Sequence, residues 1–192
     1  MKCNLGKRKI VFNAPVTLSF VLLCFVVTLL GVLSHGRITQ TLFMTYHSSL
    51  KDPMTYVRFF THIFGHGGWD HFIGNASYLL LLGPMLEEKH GSGELLEVIG
   101  ITAIVTGLVN YLFFWNVGLC GASGVVFAFI ILASFTGFQD GEIPLTFILV
   151  AVIFIGQQVY EGIALQDNIS NMAHIVGGIV GAVAGYGLNR KS

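Results

Sequence analysis

The sequence has 192 residues, of which 54% are hydrophobic and only 10% charged. A soluble domain carries about 25% charged residues, so water is not the main solvent of this chain. Ten basic residues balance ten acidic ones, so nucleic-acid binding has no electrostatic support.

The first apolar run, Ala14–Leu33, follows Lys2, Lys7, Arg8 and Lys9. It is longer than the h-region of about 7–15 residues found in a signal peptide, and no small-x-small cleavage site follows it. It therefore reads as a retained first membrane helix, with residues 1–13 as a cytoplasmic N-terminal segment. Residues 34–70 form one long outer loop. Long ordered loops usually have a function. Five further runs approach the roughly 17–25 residues that span a bilayer: His71–Leu86, Leu95–Trp115, Gly118–Gly137, Ile143–Tyr160 and Ile169–Leu188. The fold expectation is all-α: a polytopic membrane protein with six transmembrane helices, in a single membrane-embedded domain covering residues 1–192. The three cysteines, Cys3, Cys24 and Cys120, show neither a CxxC motif nor paired spacing. Neither a disulfide framework nor a thiolate zinc site is expected.

Lys and Arg set the direction of such a bundle. With the N-terminus in the cytoplasm, Lys2, Lys7, Arg8, Lys9, Lys89, Arg190 and Lys191 lie inside, and Arg37, Lys51 and Arg58 lie outside. Both termini are then cytoplasmic. In this arrangement Ser123 and His174 each lie about five residues inside their spans, on the order of 8 Å below the outer surface. His71 and Asn75 mark the outer end of the second span.

Polar side chains at membrane depth usually face a bundle interior and usually have a purpose. A serine with a histidine forms the minimal activated nucleophile. Gly177, Gly181 and Gly185 follow His174 on one helical face, and such small-residue faces let a partner helix approach closely. Gly121 and Gly124 flank Ser123 in the same way. Ser123 also sits near a helix start, where free backbone N–H groups can face an oxyanion. His71 and Asn75 are spaced i, i+4 on one face. They either help to hold an oxyanion or make structural hydrogen bonds to a neighbouring helix. Phe127, one turn after Ser123, either packs on the imidazole or simply fills core. Asp70 and Asp167 are near enough to the surface to orient His174, but a buried carboxylate in lipid is costly and a Ser–His dyad is the simpler arrangement.

His62 and His66 have a workable zinc spacing, with His71 nearby. No HExxH motif is present and Asp70 is the only accompanying carboxylate, so no metal site is expected and backbone hydrogen bonds in the first loop account for these histidines. The polar cluster is confined to the outer half of the bundle, whereas a channel or transporter needs a polar path across the whole bilayer.

These residues resemble the rhomboid intramembrane serine proteases over roughly Tyr56 to Leu188. The matching pieces come in order: Arg58-Phe59-Phe60-Thr61-His62, His71-x-x-x-Asn75, Glu87-x-x-x-Gly91-Ser92, Gly121-x-Ser123-Gly124 and Ala173-His174-x-x-Gly177-x-x-x-Gly181. The chain departs from the family pattern at Val57, usually tryptophan, and at Phe127, commonly tyrosine. The resemblance implies Ser123 as nucleophile, His174 as general base, His71 and Asn75 at the oxyanion, and no cofactor. It implies membrane-anchored protein substrates met in the lipid bilayer, with cleavage in or near their transmembrane segments. The bare six-span core resembles the bacterial form, which implies the bacterial inner membrane. The alternative expectation is a non-catalytic rhomboid-like protein that binds or chaperones transmembrane helices.

Overall fold

The computed structural model describes residues 11–135, 143–164 and 168–189. Among these, eight α-helices form and no strand does: α1 (Pro15–Leu33), α2 (Arg37–Leu42), α3 (Pro53–Thr61), α4 (Trp69–His90), α5 (Ser92–Phe113), α6 (Ser123–Ser134), α7 (Leu145–Ala164) and α8 (Asn168–Asn189). Helices α1, α4, α5, α6, α7 and α8 match the six expected spans and make a helical membrane bundle. Three stretches, Pro15–Leu33, Ser92–Phe113 and Asn171–Leu188, are long and apolar enough to cross a membrane on their own composition. By contrast, α4 carries charges at both ends and α6 is only 12 residues long. Leu81, Ile104, Val152 and Val183 are exposed on the outside, where lipid would cover them.

The first helix starts at Pro15, where the missing N–H costs nothing. The next two N–H groups would be orphans. Glu87, from the far end of α4, supplies their acceptor: its carboxylate takes the Val16 amide at 2.9 Å, and the Thr17 amide and hydroxyl at 3.0 and 2.9 Å. The Ser92 hydroxyl adds a fourth bond at 2.7 Å. The Glu87–Ser92 piece of the sequence pattern is therefore a clamp between α1, α4 and α5, and Glu87 is buried by it.

The long outer loop is ordered. Asp52 caps α3 by accepting from the Met54 amide at 3.0 Å, and Pro53 follows as its first residue. Arg58, one turn on, is buried and ties the loop together. Its Nε donates to the Thr41 carbonyl at 3.0 Å, its terminal nitrogen meets Asp52 at 3.3 Å, and the guanidinium stacks 4.6 Å over the Tyr46 ring. A 3₁₀ turn, His62–Phe64, then drives the chain into the core.

The innermost helix is α6. Val125, Ala128 and Leu132 on it are fully covered. Its main partner is α8, and the glycine face seen in the sequence is the contact. A side chain at Gly177 would strike the carbonyl of Gly124, and one at Gly181 the carbonyl of Ala128. At Gly185 it would meet the Phe135 ring at 2.7 Å. The contacts ascend together in both helices, so α6 and α8 run parallel.

The fourth span differs from expectation. Helix begins at Ser123, not Gly118, so Ser123 is the first residue of α6 and not the fifth inside it. Residues 118–122 are drawn out of helix by long-range hydrogen bonds. Leu119 and Thr45 exchange N–H···O bonds of 2.8 and 2.9 Å, and the Gly121 amide donates to the His62 carbonyl at 3.0 Å. The expected end of this span at Gly137 lies outside the described residues.

Candidate active site

Four elements converge on one cavity of about 460 Å³: α4, the segment ahead of α6 with α6 itself, α7 and α8. All five site residues read from the sequence line it: His71, Asn75, Ser123, Phe127 and His174.

Ser123 is half-buried at the start of α6. The N–H groups of that first turn have no intrahelical acceptor. His174, on α8, lies face to face with Phe127, with ring centroids 4.2 Å apart and planes 6° from parallel. This stack fixes the imidazole plane. The chain neighbours of Ser123 and His174 touch: a Cβ at Gly124 would lie 3.4 Å from the Ala173 carbonyl.

His71 and Asn75 face the segment that leads into Ser123. Gly121 has φ +131°, a conformation that side chains rarely adopt, and a Cβ there would lie 2.7 and 2.8 Å from two atoms of the His71 ring and 3.8 Å from the Asn75 amide nitrogen. Glycine is thus required twice over at this position. Asn75 is buried, yet its Nδ2 has no hydrogen-bond partner among the described residues. Most buried donors are paired, so an unpaired one facing a cavity is suited to meet a ligand atom.

Two histidines outside the cavity lining hold this segment, and they do more than pair with their own loop. The Nδ1 of His66 lies 3.2 Å from the Phe64 carbonyl and must carry the hydrogen, which leaves Nε2 to accept from the Ala122 amide at 3.5 Å. The Nε2 of His62 donates to the Ala103 carbonyl of α5 at 3.0 Å, while its own carbonyl holds Gly121. Burial pushes His62 down from 6.5 to about 4, against the Ala103 hydrogen bond. Burial, with the neighbouring His71 adding to it, pushes His66 down from 6.5 to about 4 as well, against the Phe64 bond. Both rings are neutral at ordinary pH. Among the described residues no three metal-type side chains converge.

Of the two carboxylates that could orient His174, Asp70 lines the cavity and Asp167 lies outside the described residues. Sequence reasoning did not single out Tyr78, Cys120 and Gln157, which also line it. Tyr78 had a signal, since it continues the i, i+4 row from Asp70 through Gly74.

A serine hydroxyl at a helix N-terminus, a stacked imidazole and an unpaired amide donor share this one cavity, a combination suited to acyl transfer. A family model described as "Rhomboid domain" matches residues 53–191. Proteins named "Rhomboid protease GlpG" from Salmonella paratyphi A and Salmonella typhi are each 29% identical over 179 residues, covering 90% of this chain and 62% of their own length. "Rhomboid-related protein 1" from Caenorhabditis elegans is 30% identical over 138 residues, 67% of this chain and 39% of its own. The chain thus spans less than two thirds of the length of these relatives.

Proposed function

The chain belongs to the rhomboid family, and from that premise we propose that it is an intramembrane serine endopeptidase whose Ser–His dyad cuts peptide bonds in or near transmembrane segments of membrane-anchored proteins. The observation that carries this reading is the shared cavity of Ser123, His174, His71 and Asn75. Ser123 Oγ attacks the scissile carbonyl while His174 takes its proton. His174 then returns the proton to the leaving amine, and a water repeats the sequence on the acyl-enzyme. The Ser123 N–H at the open end of α6, with His71 and Asn75, receives the oxyanion. Phe127 holds the imidazole plane. No cofactor enters the scheme.

The protein sits in the bacterial inner membrane, as its Salmonella relatives suggest, with both termini in the cytoplasm, supported by the seven-to-three distribution of Lys and Arg. A reporter fused after Ser192 should read cytoplasm. The reaction is tested with a fluorophosphonate probe and a transmembrane model substrate on purified protein. Wild type should be labelled and should cut, and folded Ser123→Ala should do neither. Cleavage by folded Ser123→Ala at the wild-type rate would overturn the assignment. A wild type that binds the substrate but neither labels nor cuts it would support the helix-binding alternative.

A further inference from the structure

Helix α4 lines the cavity with two adjacent rows. One is His71 and Asn75, which face Gly121. The other, turned by one residue, is Asp70, Gly74 and Tyr78. The second row has no part in the proposed chemistry, and its composition is unusual for a wall at membrane depth. Asp70 is exposed, is the one acidic or basic side chain among those lining the cavity apart from the histidines, and has no ion pair among the described residues. Gly74 is bare: a Cβ placed there meets nothing within 4 Å. Tyr78 is 48% exposed, with its phenol free to line the inner end.

We propose that the Asp70–Gly74–Tyr78 row is a specificity surface that selects substrate segments carrying a basic residue on their outer flank. The proposal rests on reading the cavity as the active site. An extended segment drawn along α4 passes over the open backbone at Gly74, where a bulky substrate side chain can sit. One helical turn outward it meets the Asp70 carboxylate. That turn rises on the order of 6 Å, the span of about two residues of extended chain. A Lys or Arg about two positions outward from the residue at Gly74 therefore meets an uncompensated carboxylate, and a Glu there meets repulsion. Asp70 also lies in the first turn of α4, where a carboxylate favours the helix dipole. That role affects folding but is blind to the charge of the substrate.

The test uses Ser123→Ala protein in nanodiscs and a set of fluorescent transmembrane peptides. The peptides differ only in whether one outer-flank position is Lys, Gln or Glu. The Lys peptide should bind about twofold to fivefold more tightly than the Gln peptide, the range for a partly exposed ion pair, and the Glu peptide more weakly. Adding salt should erode the preference. Asp70→Asn in the same background should bring the Lys-to-Gln ratio to about one, and Asp70→Lys should invert it. A Lys-to-Gln ratio unchanged by either substitution would overturn the proposal. Turnover of the same peptides by protein with Ser123 intact is read separately. Charge preference without turnover counts against the protease reading alone, and turnover without charge preference counts against the role of Asp70 alone.

Discussion

Acid should destabilise this protein through two named histidines. His62 and His66 fall from 6.5 to about 4 on burial, so between those values the unfolded chain binds protons that the native protein refuses. The sign follows directly. Stabilisation from the neutral rings is complete above 6.5 and is lost as pH falls toward about 4, below which nothing more is lost. Each tenfold step in proton activity is worth about 1.36 kcal/mol, so each ring withdraws about 3 kcal/mol across the window. Two such losses together are comparable with the about 5–15 kcal/mol of a whole domain. The effect is also local, because a protonated His66 cannot accept the Ala122 amide next to Ser123. Melting temperature in detergent, measured from pH 8 to about pH 4, should be flat above 6.5 and fall steadily below it. His66→Gln, which keeps an acceptor and removes the titration, should make that slope measurably shallower. A flat melting curve through the window, or an undiminished slope in His66→Gln, would refute the reasoning.

Three further outcomes follow from the site and its packing. His174→Ala should be as inactive as Ser123→Ala and the double variant no worse, because residues acting as one unit are not additive; steady-state cleavage of a model substrate reads this. Asn75→Ala should lower kcat by about tenfold, less than the 10²–10³ of a sole oxyanion donor, because the charge is shared. Its melting temperature should not fall, since Asn75 Nδ2 makes no hydrogen bond in the described protein. Gly177→Ala should cost about 1–3 kcal/mol, because the new methyl meets the Gly124 backbone, which cannot swing away. Gly187→Ala, on the same helix with open space around it, should be neutral or slightly stabilising in the same thermal assay.

The parts of the fold legible in the sequence are those with local causes. Long apolar runs located the six principal helices, and the period of Gly177, Gly181 and Gly185 identified a close-packing face before any partner was visible. The start of α6 was misjudged because Gly118 to Ala122 is apolar and small, and nothing in its composition separates a buried loop from a helix. What holds it open is far away in the chain: the Thr45 backbone, the His62 carbonyl and the His66 ring. The acceptors of the α1 amides were hidden for the same reason, since Glu87 stands about seventy residues from Val16 and Thr17. Ser123 and His174 stood out because polar groups are costly in lipid. Tyr78 and Gln157 did not, since an aromatic or an amide near a membrane surface is commonplace.

The parallel docking of α6 on α8 also bears on when the proposed dyad is completed. Two parallel membrane helices cannot be chain neighbours, so α7 must cross back between them before α8 can be threaded. The fit is backbone against backbone at Gly124–Gly177 and Ala128–Gly181, which leaves no flexible side chain to hold α6 in readiness. Until α8 is seated, Ser123 has no imidazole from that helix beside it. On the proposed reading, the cavity gains its base in the same event that seats the last helix.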